Sequence, residues 1–216
     1  ENLPKKIHQI WLGGKLPDKY KEFVKSWVIF NPGWEYKLWM DSDVDSIVMK
    51  QRDAFDRATN NGMKSDILRY EILQQQGGIY VDTDFECLKS FDDLTNLKFF
   101  TGISYDVEMC LYVGLIASVA NHPIINACVD SLNTTYDGNN SFKIMDATGP
   151  YYFTRCFFSS ATEDMDGVVV FPLDFFYPFP GSLRIVEKSR NKYKRPCSYA
   201  IHHWEVSWMK SKRNEG

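Results

Sequence analysis

Asp82 and Asp84 stand one residue apart at the end of a short apolar run, Gly78-Ile79-Tyr80-Val81, which itself follows Gly77. A β-strand turns residues i and i+2 to the same face. Extended backbone through Asp84 would therefore aim both carboxylates at one point. Two hard oxygen donors on one point suit Mg²⁺ or Mn²⁺, with substrate phosphates and water completing the shell. The same triplet recurs at Asp41/Asp43, Asp43/Asp45 and Asp164/Asp166. The first two overlap in Asp-Ser-Asp-Val-Asp and read as a turn and helix N-cap ahead of Ile47 and Val48. The last lies in the polar run Glu-Asp-Met-Asp-Gly. Context selects Asp82 and Asp84, because only they follow an apolar strand.

Three other groups could act with this pair. Asp66 and Arg69, in Ser65-Asp66-Ile67-Leu68-Arg69-Tyr70, are i and i+3 and share a helix face. They read either as a surface ion pair worth little or as substrate contacts. In the second reading Asp66 accepts from sugar hydroxyls and the planar fork of Arg69 holds a phosphate. Trp11, Leu12 and Gly13 end the first apolar strand, where ligands sit in open parallel sheets. Trp11 reads either as a base-stacking ring or as core, and Gly13-Gly14 lets backbone approach a ligand. Near the C-terminus, His202-His203-Trp204-Glu205-Val206-Ser207-Trp208 offers an imidazole to the same metal and two lid residues. The alternative there is a surface histidine pair beside aromatic packing.

The elements that must position these groups follow from periodicity. Residues 6–12 read as a strand and 18–30 as a helix, with Phe23, Val24, Trp27 and Val28 at helical spacing. Asn31-Pro32-Gly33 stops that helix, and 34–39 alternates as a second strand. Strand, helix, strand at this spacing predicts a βαβ unit and a parallel sheet. Helices are expected over 43–59 and 63–76, strands near 99–103, 112–118 and 168–171. Further helices open at His122-Pro123 and at Gly149-Pro150.

With 216 residues and 44% hydrophobic content, the chain fits one domain with a full core. A net charge of −3 lacks the electrostatic footprint of a nucleic-acid binder. The apolar runs fall well short of the roughly 20 residues that span a bilayer. Five scattered cysteines without a Cys-x-x-Cys favour free thiols in a reducing compartment. A cytoplasmic location is the expectation, with peripheral membrane association. A Golgi lumen is the alternative if an anchor precedes Glu1, in which case Asn133 and Asn139 become glycosylation acceptors.

Taken in order, the blocks Pro4–Gly14, Ser26-Trp27, Asn31–Tyr36, Ser65–Tyr70, Gly77–Asp84, Gly149-Pro150 and His203–Trp208 closely resemble glycosyltransferase family 32. These are the proteins of the DXD-containing sugar-binding region. Relatives include yeast initiating mannosyltransferases, α1,4-galactosyl- and α1,4-N-acetylglucosaminyltransferases, bacterial polysaccharide enzymes and, distantly, clostridial glucosylating toxins. The resemblance implies an α/β GT-A fold, a Rossmann-like, mixed, mainly parallel sheet flanked by helices. It implies one such domain over 1–210, with 211–216 a disordered tail. It further implies retaining, Mn²⁺- or Mg²⁺-dependent transfer of a hexose or N-acetylhexosamine from a UDP-sugar or GDP-mannose. The acceptor would be a glycan, a glycolipid or another hydroxyl. By position, Trp11 matches the base-stacking tryptophan, with Leu12 and Gly13 beside it. Asp66 and Arg69 match donor contacts. Asp82, Asp84 and His203 match the metal set, with His202 the adjacent candidate, and Ser207 and Trp208 match the diphosphate lid.

Two rivals are weaker. A haloacid-dehalogenase-like phosphatase also places Asp-x-Asp after an apolar strand. Its motif continues to Thr or Val where this chain has Glu86, and it normally sits on the first strand. A non-catalytic carbohydrate-binding or effector module would not need Asp66, Arg69, Asp82, Asp84 and His203 together.

Overall fold

Gly77 and Gly78 end one helix and begin the strand that leads to Asp82. Their φ angles are +62° and +100°, a region that residues with side chains rarely adopt. The Gly77 N–H closes the helix on Leu73 O at 3.0 Å. A Cβ at Gly78 would stand 2.7 Å from Lys6 O, so the close approach of the first strand requires glycine there.

The computed structural model describes residues 2–58, 60–105, 108–132 and 141–205. In order these form β1 (Lys6–Ile10), α1 (Lys21–Phe30), β2 (Glu35–Trp39), α2 (Arg52–Arg57), α3 (Asn61–Gln76), β3 (Gly78–Val81) and β4 (Phe85–Cys87). Then come β5 (Phe99–Tyr105), β6 (Met109–Ser118), α4 (Pro123–Asp130), α5 (Ser141–Ala147), α6 (Pro150–Ser160), β7 (Val168–Phe171), α7 (Leu173–Phe176) and β8 (Ala200–His202). Six strands make one sheet in the order β2-β1-β3-β6-β5-β7. β1 pairs parallel with β2 and β3, and β5 pairs parallel with β7. β6 runs antiparallel to both its neighbours. The sheet is thus mixed and mostly parallel, as the βαβ reading predicts.

Both faces are covered, so the central strands are apolar on both sides. Along β3, Ile79 and Val81 enter one hydrophobic cluster while Tyr80 enters the other. β6 divides the same way, Leu115 and Ala117 against Val113 and Ile116. The helical layer on one face includes α3, α4 and α6; the other cluster takes in Trp27 of α1 and Phe176 of α7. Trp27 is fully buried and its Nε1–H donates to Phe85 O at 3.0 Å. One side chain thereby fastens α1 to the strand just past the aspartates.

Two expectations change. The helix predicted over 43–59 shrinks to Arg52–Arg57. Asp41–Ser46 closes instead as a 3-10 segment, where the Asp43 carboxylate accepts from the Met40 N–H at 2.9 Å. Such local side-chain bonding competes with a regular helix. The second change is a two-stranded antiparallel ribbon of β4 and β8, which pairs Phe85 with His202. Strands of three residues leave too little alternation to be read from sequence.

His8 of β1 shows how the sheet is tied to the glycine turn. Its Nε2–H donates to Gly77 O at 2.9 Å, and its Nδ1 accepts from Trp39 Nε1–H at 3.2 Å. This pattern requires the neutral ring. Burial lowers its pKa from 6.5 to about 4. Between these values the unfolded chain binds the extra proton, so the contribution is complete above pH 6.5 and is lost as pH falls toward 4. The expected loss is about 3 kcal/mol. Histidine NMR titration should find His8 neutral at pH 5.5; a ring that titrates near 6.5 would refute the assignment.

Candidate active site

β3 ends at Val81, and Asp82-Thr83-Asp84 forms a turn in which the Phe85 N–H donates to Asp82 O at 3.2 Å. The two carboxylates therefore converge through a turn, and the strand alternation expected from sequence does not extend that far. The Asp82 N–H donates to Gly114 O at 2.8 Å. A Cβ at Gly114 would lie 3.0 Å from Asp82 Oδ2. A side chain on β6 there would press on this carboxylate.

The β4–β8 ribbon brings the far end of the chain to this turn. His202 Nε2 lies 3.0 Å from Asp84 Oδ1 and 4.0 Å from Asp82 Oδ2. One potential ligand atom from each of Asp82, Asp84 and His202 falls within a mutual 4.8 Å. The other Asp84 oxygen accepts the Glu205 N–H at 2.8 Å. Two carboxylates and an imidazole form a donor set suited to Mn²⁺ or Mg²⁺, so these residues fit the implied metal. Burial works against the Asp84 carboxylate, yet His202 and the Glu205 N–H hold its pKa below the ordinary value. Burial pushes Asp82 upward against the pull of Arg69, with Asp84 adding to the rise.

His203 does not join the cluster, which corrects its sequence-based placement. Its N–H donates to Asp84 O at 3.0 Å, while its Nε2 lies 3.1 Å from Glu86 Oε2. Its ring stacks on Phe23 at 4.2 Å. Successive side chains leave extended backbone on opposite sides, so only one of two adjacent histidines can reach the turn. Ser207 and Trp208 lie outside the described residues.

Asp66 and Arg69 do share a helix face, and that face is inside. They are only 6% and 4% exposed. Arg69 Nη2 lies 3.0 Å from Asp66 Oδ1 and 3.4 Å from Asp82 Oδ1, and Nη1 donates to Val113 O at 2.6 Å. The guanidinium covers the Tyr80 ring at 4.4 Å. Tyr80 Oη donates to Asp82 Oδ1 at 2.7 Å, and Thr148 Oγ1 donates to Asp66 Oδ2 at 2.9 Å. Burial raises the Asp66 pKa to about 6, with Arg69 opposing. Burial likewise opposes the Arg69 charge, but Tyr80, Asp66 and Asp82 outweigh it and raise its pKa. Arg69 thus spends its donors on protein acceptors.

These groups line one cleft of about 400 Å³, within the range of small-molecule sites. Trp11, Leu12 and Gly13 line it too. Trp11 is half-buried, its ring tilted against Tyr20 at 5.0 Å. The Gly13 and Gly14 N–H groups donate to the Asp41 carboxylate at 3.0 and 3.2 Å. The first Asp-x-Asp triplet is therefore structural: Asp41 pins the Trp11 loop and Asp43 caps Met40. Sequence reasoning missed Tyr80, Gly114, Thr148, Arg184 and Glu205. Only Tyr80 carries a signal, on the strand that leads into Asp82 and two residues before it.

Arg69→Met leaves the buried Asp66 carboxylate and the partly buried Asp82 carboxylate without their counter-ion. Removing one partner of a buried pair costs about 3–5 kcal/mol, and urea unfolding at neutral pH should show a loss of that size. Asp66→Asn added to Arg69→Met should recover part of it. Wild-type stability in Arg69→Met would mean that the pair contributes no more than an exposed one.

Comparison with known proteins agrees with this geometry. Residues 17–100 match the family model described as "glycosyltransferase sugar-binding region containing DXD motif". An uncharacterized glycosyltransferase of Acanthamoeba polyphaga mimivirus is 29% identical over 74% of this chain and 65% of its own. The mannosyl phosphorylinositol ceramide synthase CSH1 of Saccharomyces cerevisiae is 28% identical over 70% of this chain and 42% of its own. The chain thus spans less than two thirds of these relatives' length. Among solved structures, the PaToxG glycosyltransferase superposes with a TM-score of 0.61 at 22% identity, covering 74% of this chain and 70% of that one. The UDP-bound glycosyltransferase domain of the YGT toxin gives 0.55 at 13% identity over 78% and 79%. The last two likenesses concern the fold. Residues 17–100 thus match the DXD-containing sugar-binding region of glycosyltransferases, and the chain carries it on a GT-A fold.

Proposed function

We propose that this chain transfers a hexose or N-acetylhexosamine from a nucleotide sugar, a UDP-sugar or GDP-mannose, to a hydroxyl of a glycan or glycolipid with retention of configuration. The carrying observation is the Asp82–Asp84–His202 cluster in the same cleft as Trp11. The UDP-bound toxin domain and the yeast ceramide synthase support the donor and acceptor classes by analogy. Mn²⁺ or Mg²⁺ held by these three side chains would supply charge neutralisation for a leaving diphosphate.

The chain's own residues do the rest. Trp11 offers a ring face to the base, and Gly13 lets backbone approach the nucleotide. Asp66, fixed by Thr148 and Arg69, presents a preset acceptor to sugar hydroxyls. Arg69 keeps Asp66 and Asp82 in register, so it acts on the donor through those carboxylates. Among the described cleft residues no side chain stands out as an enzymic nucleophile, which favours approach of the acceptor hydroxyl on the leaving-group face.

Calorimetry with UDP, GDP and Mn²⁺ tests the reading. Asp84→Asn and His202→Gln should abolish the Mn²⁺-dependent part of nucleotide binding, while His203→Gln should keep it. Turnover in Asp84→Asn should fall by a factor of at least about 10²–10³. Retained metal-dependent binding in both of the first two variants would sink the metal assignment.

Trp11→Ala should weaken nucleotide binding by about 1–3 kcal/mol, the worth of base stacking in nucleic-acid sites. Unchanged UDP and GDP affinity in a folded variant would remove Trp11 from the site. NMR of the new linkage decides the stereochemistry, because a β product from an α-linked donor rules out retention.

A further inference from the structure

Residues 184–195 hold Arg184, Lys188, Arg190, Lys192, Lys194 and Arg195 against Glu187 alone, a net +5 in a chain whose total is −3. Part of this segment is tied down. Lys194 pairs with Glu86 of β4 at 2.7 Å, Lys192 pairs with Glu187, and the Arg190 guanidinium covers the Phe179 ring at 4.7 Å. Other residues of the segment face water. Ile185 and Val186, adjacent in sequence, are 84% and 74% exposed, and Lys188 and Arg195 of the same segment are exposed as well. Among the described residues, Arg184, Lys188, Arg190 and Arg195 pair with no carboxylate. Arg184, next to Ile185, lines the cleft.

We propose that this segment is a docking ridge for an anionic lipid bilayer, on which Ile185 and Val186 enter the interface while Lys188 and Arg195 meet the headgroups. Two exposed aliphatic side chains set among unpaired cations match the two demands of such a surface, apolar burial and negative potential. An acidic protein would engage the cations but gives no reason for two adjacent aliphatics left in water. The ridge begins at the cleft wall, so docking would bring the cleft mouth to lipid headgroups. The surface stands apart from the chemistry of the cleft, and its test does not depend on that chemistry.

The test is flotation of the full chain with phosphatidylcholine vesicles, with and without phosphatidylserine. Wild type should float only with the anionic vesicles, and salt should release it. Each basic residue near such a surface contributes about 1 kcal/mol, roughly fivefold in partition. Lys188→Gln with Arg195→Gln should therefore weaken binding on the order of twentyfold. Ile185→Gln with Val186→Gln should also weaken it, with unchanged thermal unfolding and nucleotide affinity in both variants. Residues 206–216, which include Lys210, Lys212 and Arg213, remain in every arm. Absence of wild-type flotation, equal flotation on neutral vesicles, or full binding by either double variant would overturn the proposal. Binding to soluble polyglutamate without flotation would overturn it in favour of an acidic protein partner.

Discussion

Everything in the cleft is arranged around one buried cation. Arg69 stands between Asp66 of its own helix and Asp82 beyond the next strand, with both carboxylates within 3.4 Å of a single nitrogen. Two buried charges and a third only partly exposed are costly unless each offsets another. That constraint explains the surroundings: Tyr80 donating to one carboxylate, Thr148 donating to the other, and Val113 O taking the remaining side of the guanidinium. Net charge at this end of the site is set by the protein before any ligand arrives. The acids are held at fixed angles as well, because their side-chain partners sit on α3, on β3 and in the turn between α5 and α6.

The sheet supplies the second constraint. β6 runs against its neighbours, which places Val113 and Gly114 beside the end of β3. A glycine at that point leaves the space Asp82 occupies, and the carbonyl before it serves Arg69. The same strand that completes the core therefore shapes the cleft. On the far side of the turn, Trp27 and the β4–β8 ribbon fix the backbone that carries Asp84. The aspartate pair is thus clamped from both flanks, by the sheet before it and the ribbon after it.

Much of this was legible in the chain itself. The glycine pair, the apolar strand and the long helix before it have strong local signals, and α3, β3 and their order came through. The first βαβ unit was equally plain. What failed was local in a different way. Strand alternation could not say that the backbone would turn at Asp82, because turn formation there depends on Gly114 and Phe85. The choice between His202 and His203 hinged on one step of register in a three-residue strand. The burial of Asp66 and Arg69 was hidden because α3 is charged on a face that the fold covers. Polarity marked that face as outer, and tertiary pairing overrode it.

The β4–β8 ribbon also sets an order in time. His202 meets Asp84 across 118 residues of chain, and closing so long a loop is slow compared with forming a helix or hairpin. During synthesis both aspartates, with Asp66 and Arg69, emerge before the partners Val113, Gly114 and Thr148, and the three-group cluster cannot assemble until β8 has left the ribosome. A nascent or C-terminally clipped chain would hold two acids where the finished one holds two acids and an imidazole. Assembly of the full Asp82–Asp84–His202 cluster therefore waits on the last described strand, however early its two acids are made.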